Sequence, residues 1–261
     1  MSKVIAVANQ KGGVGKTTTC VNLGAGLVRA GYKVLLIDAD PQGSMTASLG
    51  FAQPDVIKNT LASVLSKVIN DEELEKHEGI IAHQEGVDFL PANMQLSGLE
   101  VALVNVLGRE MLLKEYIDSV RDAYDYVIID CMPSLGMLTI NALVAADTVL
   151  IPVQAAYLPM LGLQQLLRTI AKVRKQLNRD LRIEGILLTM VDYRTNYAKD
   201  IAENVRAAYG ENVEIFVTDI PKSVRAEEIS LEGISIFEHD PKGKVAVAYR
   251  ELTKEVINHE A

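Results

Sequence analysis

The fold class this sequence predicts is α/β, doubly wound around a mostly parallel sheet with helices on both faces. Three observations carry that reading. Short runs rich in Val and Ile recur along the chain and are apolar at consecutive positions, as strands buried on both faces require. Helical periodicity follows the runs, so strands and helices alternate. The polar, chemistry-bearing segments begin where those runs end, and in such sheets ligands bind at the carboxyl ends of the strands.

Taken in order, strands are expected at Val4–Ala8, Val34–Ile37, Tyr126–Ile129, Thr148–Val153, Gly185–Thr189 and Glu214–Val217. The clearest helices are expected over Leu163–Leu177, Ala198–Tyr209 and Val245–Ile257. Residues 54–86 are the least regular region, and their charged stretch Asp71–Lys76 reads as a solvated helical excursion. A chain of 261 residues can bury one sizeable core. With no repeat, low-complexity tract or linker in sight, residues 1–261 read as a single domain.

Composition narrows the function classes. Hydrophobic content of 49% and charged content of 23% are those of an ordinary soluble globular protein. No apolar run reaches the ~18 residues of a membrane span, and no secretory leader opens the chain, so the expected location is cytoplasmic. Cys20 and Cys131 cannot form a disulfide framework and read as small buried hydrophobes. His77, His83, His239 and His259 are scattered, which argues against a structural metal site. The net charge of −8 excludes a uniformly nucleic-acid-coating surface but leaves room for a local basic patch.

The run Lys11-Gly12-Gly13-Val14-Gly15-Lys16-Thr17-Thr18 lies between the first strand and the first helical pattern. Strand, glycine-rich loop and helix form the context of a phosphate-binding loop. Glycines let backbone N–H groups approach an anion, and the helix N-terminus favours negative charge. Lys16 is then placed to reach the β- and γ-phosphates of a nucleotide and Thr17 to ligate Mg²⁺. The usual loop has glycine where this chain has Gln10, and this chain carries an extra lysine, Lys11. Two further strand ends supply carboxylates: Asp38 and Asp40 in Asp38-Ala39-Asp40-Pro41-Gln42-Gly43, and Asp130 after Tyr126–Ile129. A strand-end aspartate after an apolar run has the form of a Walker B residue, which positions Mg²⁺.

These segments resemble a known family. The glycine loop with its extra lysine is similar to the deviant Walker A motif of the ParA/MinD ATPases. The phrases N-Q-K-G-G-V-G-K-T-T-T, D-A-D-P-Q-G, I-D-C-M-P-S-L-G and T-I-N-A-L look like the ParA/Soj branch of partition ATPases. So do I-P-V-Q, L-L-T-M-V-D-Y-R-T-N and I-P-K-S-V-R, in family order over nearly the whole chain. The resemblance implies a P-loop NTPase that takes ATP or ADP with Mg²⁺. Its ATP form is expected to dimerise and to bind double-stranded DNA without sequence preference at the nucleoid. A ParB-type partner is expected to stimulate slow hydrolysis.

By matching position, the resemblance implies roles for individual residues. Lys11 reaches across the dimer to the partner's nucleotide, Asp40 orients the attacking water and joins the metal site, and Asp130 completes that site. Met190, Asp192 and Pro221 are expected at the adenine, and Arg194 and Arg225 at DNA. Arg168, Lys172, Lys175 and Arg179 recur at helical spacing and form a second candidate stripe, or simply a solvated face. The chain departs from the family pattern at Met132, Ala156, Leu161 and Lys222, positions that bear on switching and partner recognition. It begins almost at its first strand, so no DNA-reading extension is expected ahead of it. The chief alternative is a MinD-like or other positioning switch that does not act on DNA. A membrane-bound switch would need a basic amphipathic C-terminal helix, whereas Arg250–Ala261 is mixed to acidic, so no membrane partner is expected.

Overall fold

The computed structural model describes residues 2–155, 160–192, 194, 196–211 and 213–259. Its strands are β1 (Lys3–Val7), β2 (Val34–Ala39), β3 (Ile81–Ala82), β4 (Asp88–Leu90), β5 (Tyr126–Cys131), β6 (Thr148–Gln154) and β7 (Arg182–Thr189). The helices are α1 (Lys16–Arg29), α2 (Ser44–Ser48), α3 (Leu61–Ile69), α4 (Gln95–Ala102), α5 (Leu112–Val120) and α6 (Met137–Ala145), followed by α7 (Met160–Gln176), α8 (Asn196–Tyr209), α9 (Arg225–Glu232), α10 (Ile236–His239) and α11 (Lys244–Asn258).

The strands lie in the order β3-β4-β2-β5-β1-β6-β7, parallel throughout except for the β3–β4 edge pair. The predicted doubly wound sheet is therefore the one observed. From β1 the chain winds to one side through β2, and from β5 it crosses β1 to reach β6 and β7. The winding thus reverses around β1, and the loop that leaves β1 opens at the crevice where such sheets hold ligands.

Side-chain alternation along the strands divides the apolar interior into two layers. Val4, Ala6, Leu35, Ile37, Val127 and Ile129 face α3, α5, α6 and α7. Ile5, Val7, Leu36 and Ile128 face α1, α10 and α11. Because both faces are covered, the strands carry few polar residues until they reach their carboxyl ends.

Three sequence expectations need correction. The run Glu214–Val217 is not a strand but makes a single parallel bridge, Ile215 to Ile186. The Glu255 carboxylate on α11 takes the backbone N–H groups of Val217 and Thr218, at 2.8 and 2.9 Å, which ends any ladder there. The charged stretch Asp71–Lys76 is not helical; the helix precedes it, as α3, and buries Leu61, Val64 and Leu65 in the core. Strands β3 and β4 were not expected, since at two and three residues they are too short to show a period. Ala156, the side chain of Leu161, and Tyr193 and Thr195 of the matched run lie outside the described residues.

Candidate nucleotide site

The loop after β1 turns on two left-handed glycines, Gly13 at φ 70° and Gly15 at φ 85°. A side chain at either position would be strained, which is why the spacing needs glycine. Gly15 is the N-cap of α1 and contributes no capping side chain, so it leaves the first-turn N–H groups of the helix to other acceptors. Asn9 pins the head of the loop: its amide donates to the Pro152 carbonyl at 2.7 Å, and its carbonyl accepts from Lys11 N–H at 3.0 Å. Lys16 is 7% exposed, and its ammonium donates to the Lys11 carbonyl at 3.3 Å. Lys11 itself is exposed.

A cavity of about 360 Å³ is lined by Gly12, Gly13, Gly15, Lys16, Thr17, Thr18, Asp40, Pro133 and Met190. The structure thus gathers the loop and Asp40 around one space. Val14 points inward instead and is buried in the protein.

The three strand-end carboxylates have different fates. Asp38 and Asp130 are directly paired neighbours on β2 and β5, and both are buried. Asp38 commits its oxygens to the protein: one accepts from Thr46 N–H at 2.9 Å and Thr46 Oγ1 at 2.7 Å, the other from Asp40 N–H at 3.2 Å. It anchors α2 and the turn that presents Asp40. Asp130 Oδ2 accepts from Thr17 Oγ1 at 2.6 Å, while Oδ1 is buried with no hydrogen-bond partner among the described residues. Burial, and then the Asp38 charge, pushes the Asp130 carboxyl up; the Thr17 hydroxyl and Lys16 ammonium act against that rise. Burial likewise raises Asp38, opposed by its bonds from Thr46. Cys20 and Cys131 are free and buried, as expected, and burial raises both thiols.

Beside this cavity lies a more apolar one of about 290 Å³, bounded by Gly15, Thr18, Met190, Ile220, Pro221, Ile229 and Tyr249. Met190 borders both spaces and adopts a left-handed backbone at φ 54°, uncommon for a side chain of its kind. Of the three residues expected at the base, Met190 and Pro221 line this cavity. Asp192 does not. It borders a neighbouring groove and holds Arg194 in a two-pronged ion pair, with bonds of 2.8 and 2.7 Å. That pairing holds the Asp192 carboxyl down at about 2, although in so exposed a place it adds little stability. Ile229 on α9 and Tyr249 on α11 come from segments with no sequence signature of a base pocket.

The groove, of about 530 Å³, also takes in Lys222, Val224 and Lys244. Arg194 is 88% exposed there, and Arg225, 60% exposed, stands next to Val224 with Asp240 at 3.7 Å. Of the other basic stripe, Arg168, Lys172 and Lys175 are exposed on α7, but Arg179 lies past the helix end at Gln176, so the four do not share one helical face.

Fold and site together define a P-loop nucleotide-binding protein with a deviant Walker A loop. Residues 2–183 match the AAA domain family. The chain is 46% identical over 256 residues to the sporulation initiation inhibitor protein Soj of Bacillus subtilis, covering 98% of both chains. It belongs to the Soj/ParA family of partition ATPases. The chromosome partitioning protein ParA of Caulobacter vibrioides is 41% identical over 260 residues, covering 99% of this chain and 95% of that protein. Among solved structures, a cobyrinic acid a,c-diamide synthase from Mycobacterium smegmatis with bound ADP and magnesium superposes with a TM-score of 0.86 at 39% identity, covering 100% of this chain and 96% of that one. The cell division ATPase MinD of Pyrococcus furiosus superposes with a TM-score of 0.74 at 26% identity over the whole of both chains.

Proposed function

We propose that this chain is a slow Mg²⁺-dependent ATPase. Its ATP-bound form dimerises, holds double-stranded DNA without sequence preference, and works with a ParB-type partner in chromosome or plasmid partitioning. The observation that carries the reading is the Thr17–Asp130 bond of 2.6 Å beside a cavity lined by the glycine loop, Lys16 and Asp40. It unites three distant segments around the groups that phosphoryl transfer needs. Residues 1–261 act as one P-loop ATPase domain, a reading supported by the single seven-stranded sheet.

The donors present suit Mg²⁺. Thr17 and Asp130 would hold it, with Asp40 at the edge of the same space, and phosphate oxygens would complete its shell. Asp130 Oδ1, buried and with no hydrogen-bond partner among the described residues, is the kind of atom a cation or its bound water satisfies. When bound, the metal would neutralise phosphate charge and favour the ionised form of Asp130. Lys16 would supply a point charge to the phosphates and Asp40 would orient the attacking water. Lys11, which is exposed, would reach a facing subunit's nucleotide.

DNA would lie across the groove of Arg194 and Arg225. Against a membrane-bound role stands α11, whose Val245, Tyr249, Leu252 and Val256 are buried in the core formed with α1. Among the described residues no helix is long and apolar enough to cross a membrane. A cytoplasmic, nucleoid-associated protein is the reading these features support.

The test is sedimentation and binding to two unrelated duplexes, with ATP, ADP and no nucleotide. Asp40→Ala should bind ATP, turn over about 100-fold more slowly and stay dimeric on DNA. Lys11→Ala should keep ADP binding and lose most of the ATP-dependent dimer. DNA binding that ignores ATP, or undiminished turnover in Asp40→Ala, would sink the proposal.

A further inference from the structure

We infer that Thr189, at the end of β7, is a positioning residue that aims the Gly15 N–H at the nucleotide's phosphates. The inference rests on the nucleotide-site reading above. Thr189 Oγ1 donates to the Val14 carbonyl at 2.8 Å, a buried bond between residues 175 apart in sequence. A trans peptide directs its C=O and the following N–H to opposite sides. With the Val14 carbonyl drawn toward β7, the N–H of Gly15 is turned the other way, toward the space it lines with Lys16 and Thr17.

Thr189 is itself held firmly. It is 2% exposed, its carbonyl accepts from Ala155 N–H at 3.1 Å, and its strand pairs with Gln154 of β6. Its methyl underlies the same glycine: a Cβ built at Gly15 would stand 3.8 Å from Thr189 Cγ2. The hydroxyl therefore fixes this peptide at the α1 end of the loop. Asn9 does the corresponding work at the loop's head, through Pro152 of β6. The loop is held at both ends by the two strands lying beyond β1 on the same side of the sheet. Such bracing means that binding need not spend free energy ordering the loop.

The test compares Thr189→Val, which replaces the hydroxyl by a methyl of similar shape, with Thr189→Ser, which keeps the hydroxyl. Thr189→Val leaves the Val14 carbonyl without its donor, and the peptide is free to rotate. Its Kd values for ATP and ADP should rise about 10-fold or more, while Thr189→Ser stays within about 3-fold of the wild type. A bond with only a structural role would lower Tm in Thr189→Val and leave both Kd values unchanged well below that Tm; that result overturns the inference. So does a Thr189→Ser variant as weak as Thr189→Val. Should Thr189→Val fail to fold, amide exchange in the wild type decides. The Gly15 N–H should become protected when Mg²⁺ and ATP are added, and unslowed exchange refutes the aim assigned to it. A wild type that binds neither nucleotide overturns the site and this inference together.

Discussion

The phosphate cavity and the arginine groove flank the apolar cavity but are built in opposite ways. Around the cavity, Lys16, Asp38 and Asp130 are buried, and their partners come from the loop after β1, from α1 and α2, and from the turn after β2. At the groove, Arg194 in its lining and Arg225 next to Val224 are mostly exposed and pair with the aspartates Asp192 and Asp240. Breaking a buried, hydrogen-bonded polar group costs about 1–3 kcal/mol, whereas an exposed ion pair is worth about 0.2–1 kcal/mol. The cavity is therefore preorganised, as chemistry on a phosphate requires, while the arginines can be re-aimed cheaply. A switch needs that division, with a rigid reader of the nucleotide joined to an adjustable surface.

The largest effect that could break this contrast lies in the cavity. Lys16→Ala removes the charge facing the phosphates, and binding of ATP and ADP should weaken more than about 100-fold, measured by titration calorimetry. A loss of only a few-fold would mean the backbone cradle suffices and the buried lysine is not central. In the groove, effects should be smaller and general. Arg194→Ala with Arg225→Ala should lower affinity for any duplex about 10-fold and reduce the salt slope by about 2. Loss confined to one sequence would show a base-reading site and overturn the nonspecific reading.

The smallest effect tests the joint between α9 and α10. His239 lies 2.8 Å from Glu232 and 3.3 Å from Glu228, and the Glu232 bond, more than the Glu228 contact, raises its pKa above the usual imidazole value. The folded state thus favours the imidazolium. Its stabilisation is complete below the unfolded value of about 6.5 and is lost as pH rises through the raised folded value. Tm should therefore fall by about 1–3 °C across that window through this group, and His239→Gln should flatten that part of the profile. An unchanged profile in the variant would remove His239 from the account.

Much of the cavity was legible in the sequence because its signals are local. Gly13 and Gly15 must supply positive φ, Lys16 and Thr17 follow them directly, and Asp130 comes after an unbroken apolar run. The separate duties of Asp38 and Asp40 were less legible. Both come after the same apolar run, and only the packing of Thr46 against Asp38 marks one as an anchor and leaves the other at the cavity edge. Asp192 shows the reverse case: its motif suggested the base, yet Arg194 two residues on claims its carboxylate.

The sequence by itself determined the α/β class, the positions of the main strands along the chain and the identity of the phosphate loop. Each of these depends on periodicity or spacing within a few residues, and chain geometry converts such spacing directly into shape. Only the tertiary structure decided that Thr189 braces Val14, that Asp130 meets Thr17, and that Ile229 and Tyr249 wall the apolar cavity. Those contacts join residues far apart in the chain, set by which strands and helices become neighbours. Strand order and helix packing come from burying both faces of the sheet at once, a requirement of the whole chain that no local segment records.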